Sequence, residues 1–428
     1  MSDWEETSLG ELIDIKHGYA FKGEFFTEVP NRNALLTPGN FHIGGGFKAD
    51  KFKYYTGDIP EDYVLSPGAV IVTMTDLSKD GDTLGYSARI PESKNRFLHN
   101  QRLGLVTTAS KKADINFIYW LLRTDHYQKS VVNSCSGSTV KHTSPSKIKD
   151  YEFLLPPISQ QKAIDKVLSS FDRKISNLRQ QNETLEAIAQ TLFKHWFVDF
   201  EFPNEDGKPY KSSGGEMERS ELGDIPTGWQ VEISRDLIYL QGGFAFKSQD
   251  FKSSGNHRIL KIRNISGNVV DIQQTDFIDD SVAQKMDSKF KVKSGDVLIA
   301  MTGAEVAKMG LVPTTSETFW LNQRVGLFRE IVPGGRIFIY CLFTRESHQQ
   351  LLRDRGSGSS AQPNISGNDI ESIPLVKPPQ RVLDLFAQLV EPLVRKKCDN
   401  LQQIRTLNKT RDRLLPKLMS GQLRITEL

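Results

Sequence analysis

Gly18-Tyr19-Ala20-Phe21-Lys22 returns later in the chain as Gly243-Phe244-Ala245-Phe246-Lys247, an offset of 225. The match around it is gapless from Trp4 against Trp229, through Leu12-Ile13 against Leu237-Ile238. The offset becomes 227 at Met74-Thr75 and Met301-Thr302, then 222 at Asn100-Gln101-Arg102 and Asn322-Gln323-Arg324. Such drift marks loop insertions between fixed elements. Both copies continue through Phe117-Ile118-Tyr119 and Phe338-Ile339-Tyr340, then Ser136-Gly137-Ser138 and Ser357-Gly358-Ser359, and both end at a proline pair, Pro156-Pro157 and Pro378-Pro379. Solenoid and propeller units repeat every 20 to 50 residues or so, whereas this period has the size of a domain plus a connector. The chain therefore reads as a covalently fused pseudo-dimer, for which a two-fold relation between halves is the expected geometry.

Beyond each proline pair the apolar period changes to that of a helix. Ile164, Phe171, Leu178, Leu185 and Leu192 recur every seventh residue, flanked by Leu168 and Ile175. Phe386, Leu393, Leu407 and Leu414 repeat the spacing with Asn400 at the intervening position. These are coiled-coil seams, and a single polar seam residue fixes register. A helix from near Ile158 to Asp199 is about 60 Å long at 1.5 Å per residue, too long to fold inside one compact domain. Pairing the two helices antiparallel, with a globular copy at each end, is the economical solution. Two separate amphipathic helices, each covering its own domain, are the alternative.

Each globular copy reads as short strands and turns: Ala69-Val70-Ile71-Val72 and Val297-Leu298-Ile299-Ala300 lie beside Ser66-Pro67-Gly68 and Ser294-Gly295-Asp296. One helix is expected over 115–131 and another over 337–352. The expected fold is α+β, with two mostly-β globular domains held apart by two long antiparallel coiled-coil helices in a pseudo-two-fold internal repeat. The boundaries are 1–157 for the first domain, 158–200 for the central helix, 201–218 for a Pro-, Gly- and Ser-rich linker, 219–379 for the second domain, 380–420 for the distal helix and 421–428 for a tail.

Composition narrows the function. The chain has 428 residues, 38% hydrophobic and 25% charged, enough for two or three cores. No apolar run approaches the roughly 20 residues of a membrane span, and the N-terminus has no signal-peptide pattern, so a cytoplasmic protein without a membrane partner is expected. Cys135, Cys341 and Cys398 lack metal-ligand spacing and read as buried thiols. Net charge is only +3, but residues 380–428 hold ten Lys or Arg against five Asp or Glu, whereas residues 1–157 hold eighteen against nineteen. That tail suits phosphates or simply a solvated helix face. Gly18 to Gly23 fails as a phosphate loop because Glu24 stands where lysine is required, and no histidine pair has metalloprotease spacing. No catalytic or metal-binding constellation is proposed by the sequence.

Two variable domains, each closed by Pro-Pro and followed by a long helix, resemble the specificity subunit of type I restriction-modification systems over essentially the whole chain. Leu154-Leu155-Pro156-Pro157-Ile158-Ser159-Gln160-Gln161-Lys162-Ala163-Ile164 is similar to that family's junction between first target-recognition domain and helix. Phe193-Lys194-His195-Trp196-Phe197-Val198-Asp199-Phe200-Glu201 and Leu414-Leu415-Pro416-Lys417-Leu418-Met419-Ser420-Gly421 are similar to the ends of its two helices. At the second junction, Lys377-Pro378-Pro379-Gln380-Arg381 replaces the usual glutamine-rich start. The resemblance implies a non-catalytic subunit that binds a bipartite site in double-stranded DNA, one half per domain, with the helices as a ruler. It implies two modification subunits that methylate adenine with S-adenosylmethionine, and restriction subunits that use ATP and Mg for translocation and cleavage. This chain itself is expected to bind none of these cofactors. A stand-alone methyltransferase or nuclease would need cofactor motifs that are missing, and a coiled-coil adaptor would show no sequence-dependent DNA affinity.

Domains that read different bases on one scaffold place their readers where the copies differ. Shared residues are then poor candidates for base reading: Gln101-Arg102 and Gln323-Arg324 order a turn or touch phosphate, and Lys22 and Lys247 contact the backbone or are simply solvated. The divergent candidates in the first domain are Ser78 and Lys79 of the Asp76–Asp82 loop, with Thr139, Lys141 and His142, which follow the shared candidate Ser138. In the second they are Glu305 and Lys308, with Gln362 and Asn364, which follow the shared candidate Ser359. Ordinary variable surface loops are the alternative for each.

Overall fold

The computed structural model describes residues 3–49, 51–356 and 363–425. It divides into two compact units, residues 1–174 with 407–428, and residues 175–406. Each long helix contributes to both units.

In the first unit, an antiparallel inner sheet has the order Ile13–His17, Leu103–Thr108, Val70–Thr73, Ser87–Arg89. An outer sheet has the order Phe26–Thr27, Lys53–Tyr55, Asn33–Leu35, Arg96–Leu98, Val64–Leu65, with one parallel pair between Asn33–Leu35 and Arg96–Leu98. The second unit repeats this connectivity. Its inner sheet begins Ile238–Gly242, Val325–Glu330, Val297–Ala300, Met309–Leu311, and its outer sheet again has a single parallel pair, His257–Leu260 with Thr318–Leu321. Each copy is closed by pairing its first strand with its last, Glu5–Ser8 with Glu152–Leu155 and Gln230–Ile233 with Pro374–Lys377, immediately before the prolines.

The continuous apolar runs have a specific cause. Along Val70–Thr73, Val70 and Val72 enter the core shared with the helices, while Ile71 enters the core under the outer sheet. Val297 and Ile299 are likewise divided from Leu298 and Ala300. A strand buried on both faces cannot alternate with polar residues.

Two expectations need correction. The helices expected over 115–131 and 337–352 are each broken in two, Ile115–Leu121 with Asp125–Ser134, and Gly335–Phe343 with Glu346–Gly356. In the first copy Thr124 turns extended and its hydroxyl accepts from the Tyr127 N–H, an N-cap that starts a new helix. The segment read as a linker is folded: Phe202 stacks on Tyr210 and on Trp229, with centroids 4.7 Å apart in both cases, and Glu201 accepts from the Ser212 N–H.

The central helix spans Ile158–Phe197 and the distal helix Gln380–Met419. In the second unit they run antiparallel, since Asn400 meets Asn182, Lys397 meets Glu186 and Phe386 meets Phe193. In the first unit Arg411 meets Asp172. The seven-residue period holds, but the row read from the sequence is the flanking one. Ile164 and Leu178 are buried, while Phe171, Leu185 and Leu192 are only partly so. The row buried at every position is Gln161, Leu168, Ile175, Asn182, Ala189 and Trp196. On the distal helix Phe386 and Asn400 are buried, and Leu393, Leu407 and Leu414 are partly buried.

Gln161 is satisfied by both neighbouring segments. Its amide nitrogen donates to the carbonyls of Lys112 and Pro156, each at 2.8 Å, and its oxygen accepts from the Asp114 N–H. Asn400 donates to Asn182 at 3.0 Å and to Gln181 at 3.3 Å. Asn400→Leu is expected to cost about 1–3 kcal/mol, because it leaves the Asn182 amide buried and unpaired, while Asn182→Leu/Asn400→Leu should recover most of it. Urea denaturation of the two variants checks this; equal losses would show that the two amides are not coupled.

Candidate nucleic-acid interface

The matched segments form one backbone knot in each unit. Gly18 lies against the backbone of residues 99 and 100, and Gly243 against that of 321 and 322. A Cβ would come within 2.0 Å of the Asn100 carbonyl oxygen and 2.1 Å of that of Asn322. Only glycine permits this approach. The next residues, Tyr19 and Phe244, bridge in parallel to Asn100 and Asn322, and their carbonyls accept from the N–H groups of Gln101 (3.0 Å) and Gln323 (2.9 Å). Tyr19 and Phe244 meet the rings of Phe21 and Phe246 edge-on, with centroids 5.1 Å apart in both copies. The carboxamide oxygens of Asn100 and Asn322 then accept from the N–H groups of Arg102 and Arg324. These asparagines, not the Gln-Arg pairs, order the turn.

The Gln101, Arg102, Gln323 and Arg324 side chains are consequently released. All four residues are exposed, and among the described residues none of these side chains has a hydrogen-bond or ion-pair partner. Lys22 and Lys247 are exposed beside the knot, each preceding a short 3-10 turn. Each unit thus presents an amide, a guanidinium and an ammonium on a rigid backbone.

A methionine joins this knot to the divergent loop. The Met74 N–H donates to the Arg102 carbonyl, and the Met74 carbonyl accepts from the Thr143 N–H. Met301 does the same with Arg324 and Ile365. The segments that differ most between copies are therefore held next to the segment that differs least.

In the first unit, Thr75-Asp76 pairs with Lys141-His142, and Ser136 and His142 exchange both backbone hydrogen bonds across a hairpin. Gly137 turns it with φ +92°; a Cβ there would meet the Val140 carbonyl oxygen at 2.0 Å. Ser138, Thr139 and His142 are exposed, Lys141 is partly buried, and the His142 Nδ1 lies 3.2 Å from the Thr75 hydroxyl. Asp76 is buried. Burial alone would raise its carboxyl, but hydrogen bonds from the Thr83 hydroxyl and from the N–H groups of Ser78 and Thr83 outweigh this and hold it below the ordinary carboxylate range. The Ser78 hydroxyl is occupied by the Asp82 N–H, which makes Ser78 part of the loop's frame, whereas Lys79 is exposed and unpaired.

In the second unit, Thr302 bridges to Asn364 and the Gly303 N–H donates to the Pro363 carbonyl. Asn364 is exposed and occupies the place of His142. Its N–H donates to the Gly356 carbonyl, as that of His142 does to the Ser136 carbonyl, and Ser357 lies outside the described residues. Ser359 and Gln362 lie outside the described residues. Glu305 and Lys308 pair with each other, leaving neither charge free.

Sequence reasoning missed Asn100, Asn322, Thr75 and the two methionines. The asparagines were visible in the repeated Asn-Gln-Arg triplet, but the methionines act through backbone groups that any residue carries. Among the described residues no group of three or more His, Cys, Asp or Glu is arranged to hold a metal ion, and no helix is long and apolar enough to cross a membrane.

The family model for the type I restriction modification DNA specificity domain matches residues 1–187 and 226–404, once per copy. The specificity subunit of type I restriction enzyme MjaIX from Methanocaldococcus jannaschii is 31% identical over 318 residues, 73% of this chain and 70% of that protein. The HindI specificity subunit from Haemophilus influenzae is 24% identical over 487 residues, covering 99% of this chain and all of that protein. The solved type I restriction-modification S subunit from M. genitalium shares the fold, with a TM-score of 0.59 at 16% identity, over 99% of this chain and 97% of its own. With a match to each copy and relatives along its full length, the chain belongs to the specificity subunits of type I restriction-modification systems, the non-catalytic subunits that recognise DNA.

Proposed function

We propose that each unit reads one half of a bipartite site in double-stranded DNA. The shared knot anchors on the sugar-phosphate backbone and the adjoining divergent loop reads bases. The observation that carries this reading is the methionine junction, which fixes a common element with unpaired Gln and Arg side chains beside a loop that differs between copies. Phosphate contacts set register without carrying sequence information, so they belong on the shared element. Base contacts belong where the copies diverge.

In this reading the paired helices set the gap between half-sites and carry two modification subunits, which bring S-adenosylmethionine for adenine methylation. Restriction subunits bring ATP and Mg. Our chain supplies recognition and spacing and binds no cofactor itself.

The test separates anchor from reader. With the modification subunits present, Arg324→Ala should weaken binding to all sequences alike and lower the slope of log affinity against log salt by about 1. Asn364→Ala should instead lose about 1–3 kcal/mol of discrimination at the second half-site only, with an unchanged salt slope. His142→Ala should do the same at the first. Discrimination lost from both half-sites by a loop variant, or from one by Arg324→Ala, would reverse the assignment.

A further inference from the structure

Arg123 is buried in the first unit, and a buried guanidinium is tolerated only when its donors are used. Its partners come from separate parts of the unit. Nε donates to the Gly44 carbonyl (3.1 Å), in a loop of the outer lobe; Nη1 donates to the Tyr119 hydroxyl (2.7 Å) and to Asp172 of the central helix (3.2 Å). The guanidinium lies over the Trp120 ring, 4.7 Å from its centre. Gly44, Gly45 and Gly46 all have positive φ, and a Cβ on Gly45 would meet the Arg123 Cγ at 2.7 Å and the Ser87 carbonyl oxygen at 2.9 Å. The loop is wrapped around the arginine. The second oxygen of Asp172 takes Arg411 of the distal helix. One carboxylate thus joins the outer lobe, through Arg123, to both helices.

The second unit makes the same kind of link from other residues. Arg405 of the distal helix pairs with Glu317 (3.0 Å), and Glu317 with Arg258 (3.4 Å). Arg258 donates to the Ile272 carbonyl (3.3 Å) in the outer part of the unit and lies over the Phe277 ring. At the offset of 221 set by Phe117-Ile118-Tyr119 and Phe338-Ile339-Tyr340, Arg123 falls opposite the uncharged Thr344, and the neighbouring Arg345 sits over Phe193 and makes no such link. A link made in both units from residues that do not correspond is not a remnant of duplication. Ion pairs of this kind add little net stability over well-packed apolar residues, yet separating the partners is costly, and in some systems they serve to fix one geometry.

The knot lies where the chain crosses between the two sheets of each unit: Gln101-Arg102 follows outer strand Arg96–Leu98 and precedes inner strand Leu103–Thr108. The angle of the outer lobe is therefore the angle of the site. We propose that Asp172 and Glu317 are positioning residues for gap stringency, each holding its unit's site at one angle to the helices so that the two half-sites are accepted at a single gap. This rests on the half-site reading above.

The experiment uses the complex of this chain with its modification subunits, on DNA with fixed half-sites and a gap varied one base pair at a time. Wild type should methylate one gap. Asp172→Asn, which keeps the shape and removes the charge, should lower the preference for that gap over its neighbours at least tenfold, with unchanged half-site bases and a rate at the original gap within about threefold. Glu317→Gln, whose arginine partners are less deeply buried than those of Asp172, should do the same in the second unit and serves if Asp172→Asn does not fold. A purely structural role would lower methylation at all gaps in proportion. That outcome, or an unchanged gap ratio in folded variants, overturns the proposal. A wild-type complex with no split-site preference overturns the half-site reading, and this inference with it.

Discussion

Gly18→Ala is expected to abolish recognition of the first half-site while leaving the second readable, and Gly243→Ala to do the reverse. The added carbon would stand 2.0 Å from the Asn100 carbonyl oxygen in one copy and 2.1 Å from that of Asn322 in the other. Both obstacles are backbone, held by the bridges from Tyr19 and Phe244, so no side chain can swing away. Ordinary overpacking costs about 1–3 kcal/mol, and a clash against fixed backbone belongs at or above the top of that range. Because the knot positions Gln101-Arg102 and, through Met74, the loop beyond it, the damage stays within one unit. Hydrogen exchange should show lost protection around residues 99–103 in Gly18→Ala, with residues 321–325 unaffected. Methylation surviving at the first half-site would mean that the site lies elsewhere.

Phe386→Ala should be the most damaging change on the helices. Phe386 is fully buried, with ring centroids 4.9 Å from Phe197 and 5.9 Å from both Phe193 and Trp196. Removing a buried phenylalanine costs about 3–5 kcal/mol, the spread reflecting how far the site can collapse. Three surrounding rings and the two helix backbones leave little room to collapse, so the upper half of that range is expected. Leu393→Ala, at a partly buried position on the same helix, should cost clearly less. Urea denaturation of both variants measures the difference. Equal costs would contradict the packing described for this pair of helices.

What the sequence revealed depended on whether side chains or backbone did the work. The repeat, the long helices that begin after Pro156-Pro157 and Pro378-Pro379 and the seven-residue period all rest on side-chain pattern, and they were legible. The phase of the central seam was not, because its buried row contains Gln161, Asn182 and the small Ala189, which an apolar count passes over. Those polar residues are admissible only because the adjoining Pro156, and Lys112 and Asn400 from distant parts of the chain, supply partners. The break at Thr124 left a local signal, Thr followed by Asp at a helix start, which the apolar run before it obscured.

At the candidate interface, identity between copies picked out the Gln-Arg pairs, and divergence picked out the loops ending at His142 and Asn364. The junction between them was invisible, since Met74 and Met301 act through backbone N–H and C=O. Ser78 and the Glu305–Lys308 pair had the right composition for contact, but their polar groups are spent within their own loops.

The central claim is that two copies of one scaffold read two half-sites at a fixed gap. The most direct test is methylation-sensitive long-read sequencing of DNA from cells carrying this chain with its modification subunit, against cells carrying either alone. The account predicts a split motif with one gap length, modified only when both are present. Modification of a single continuous motif, or no modified motif from a soluble, co-purifying complex, would contradict it.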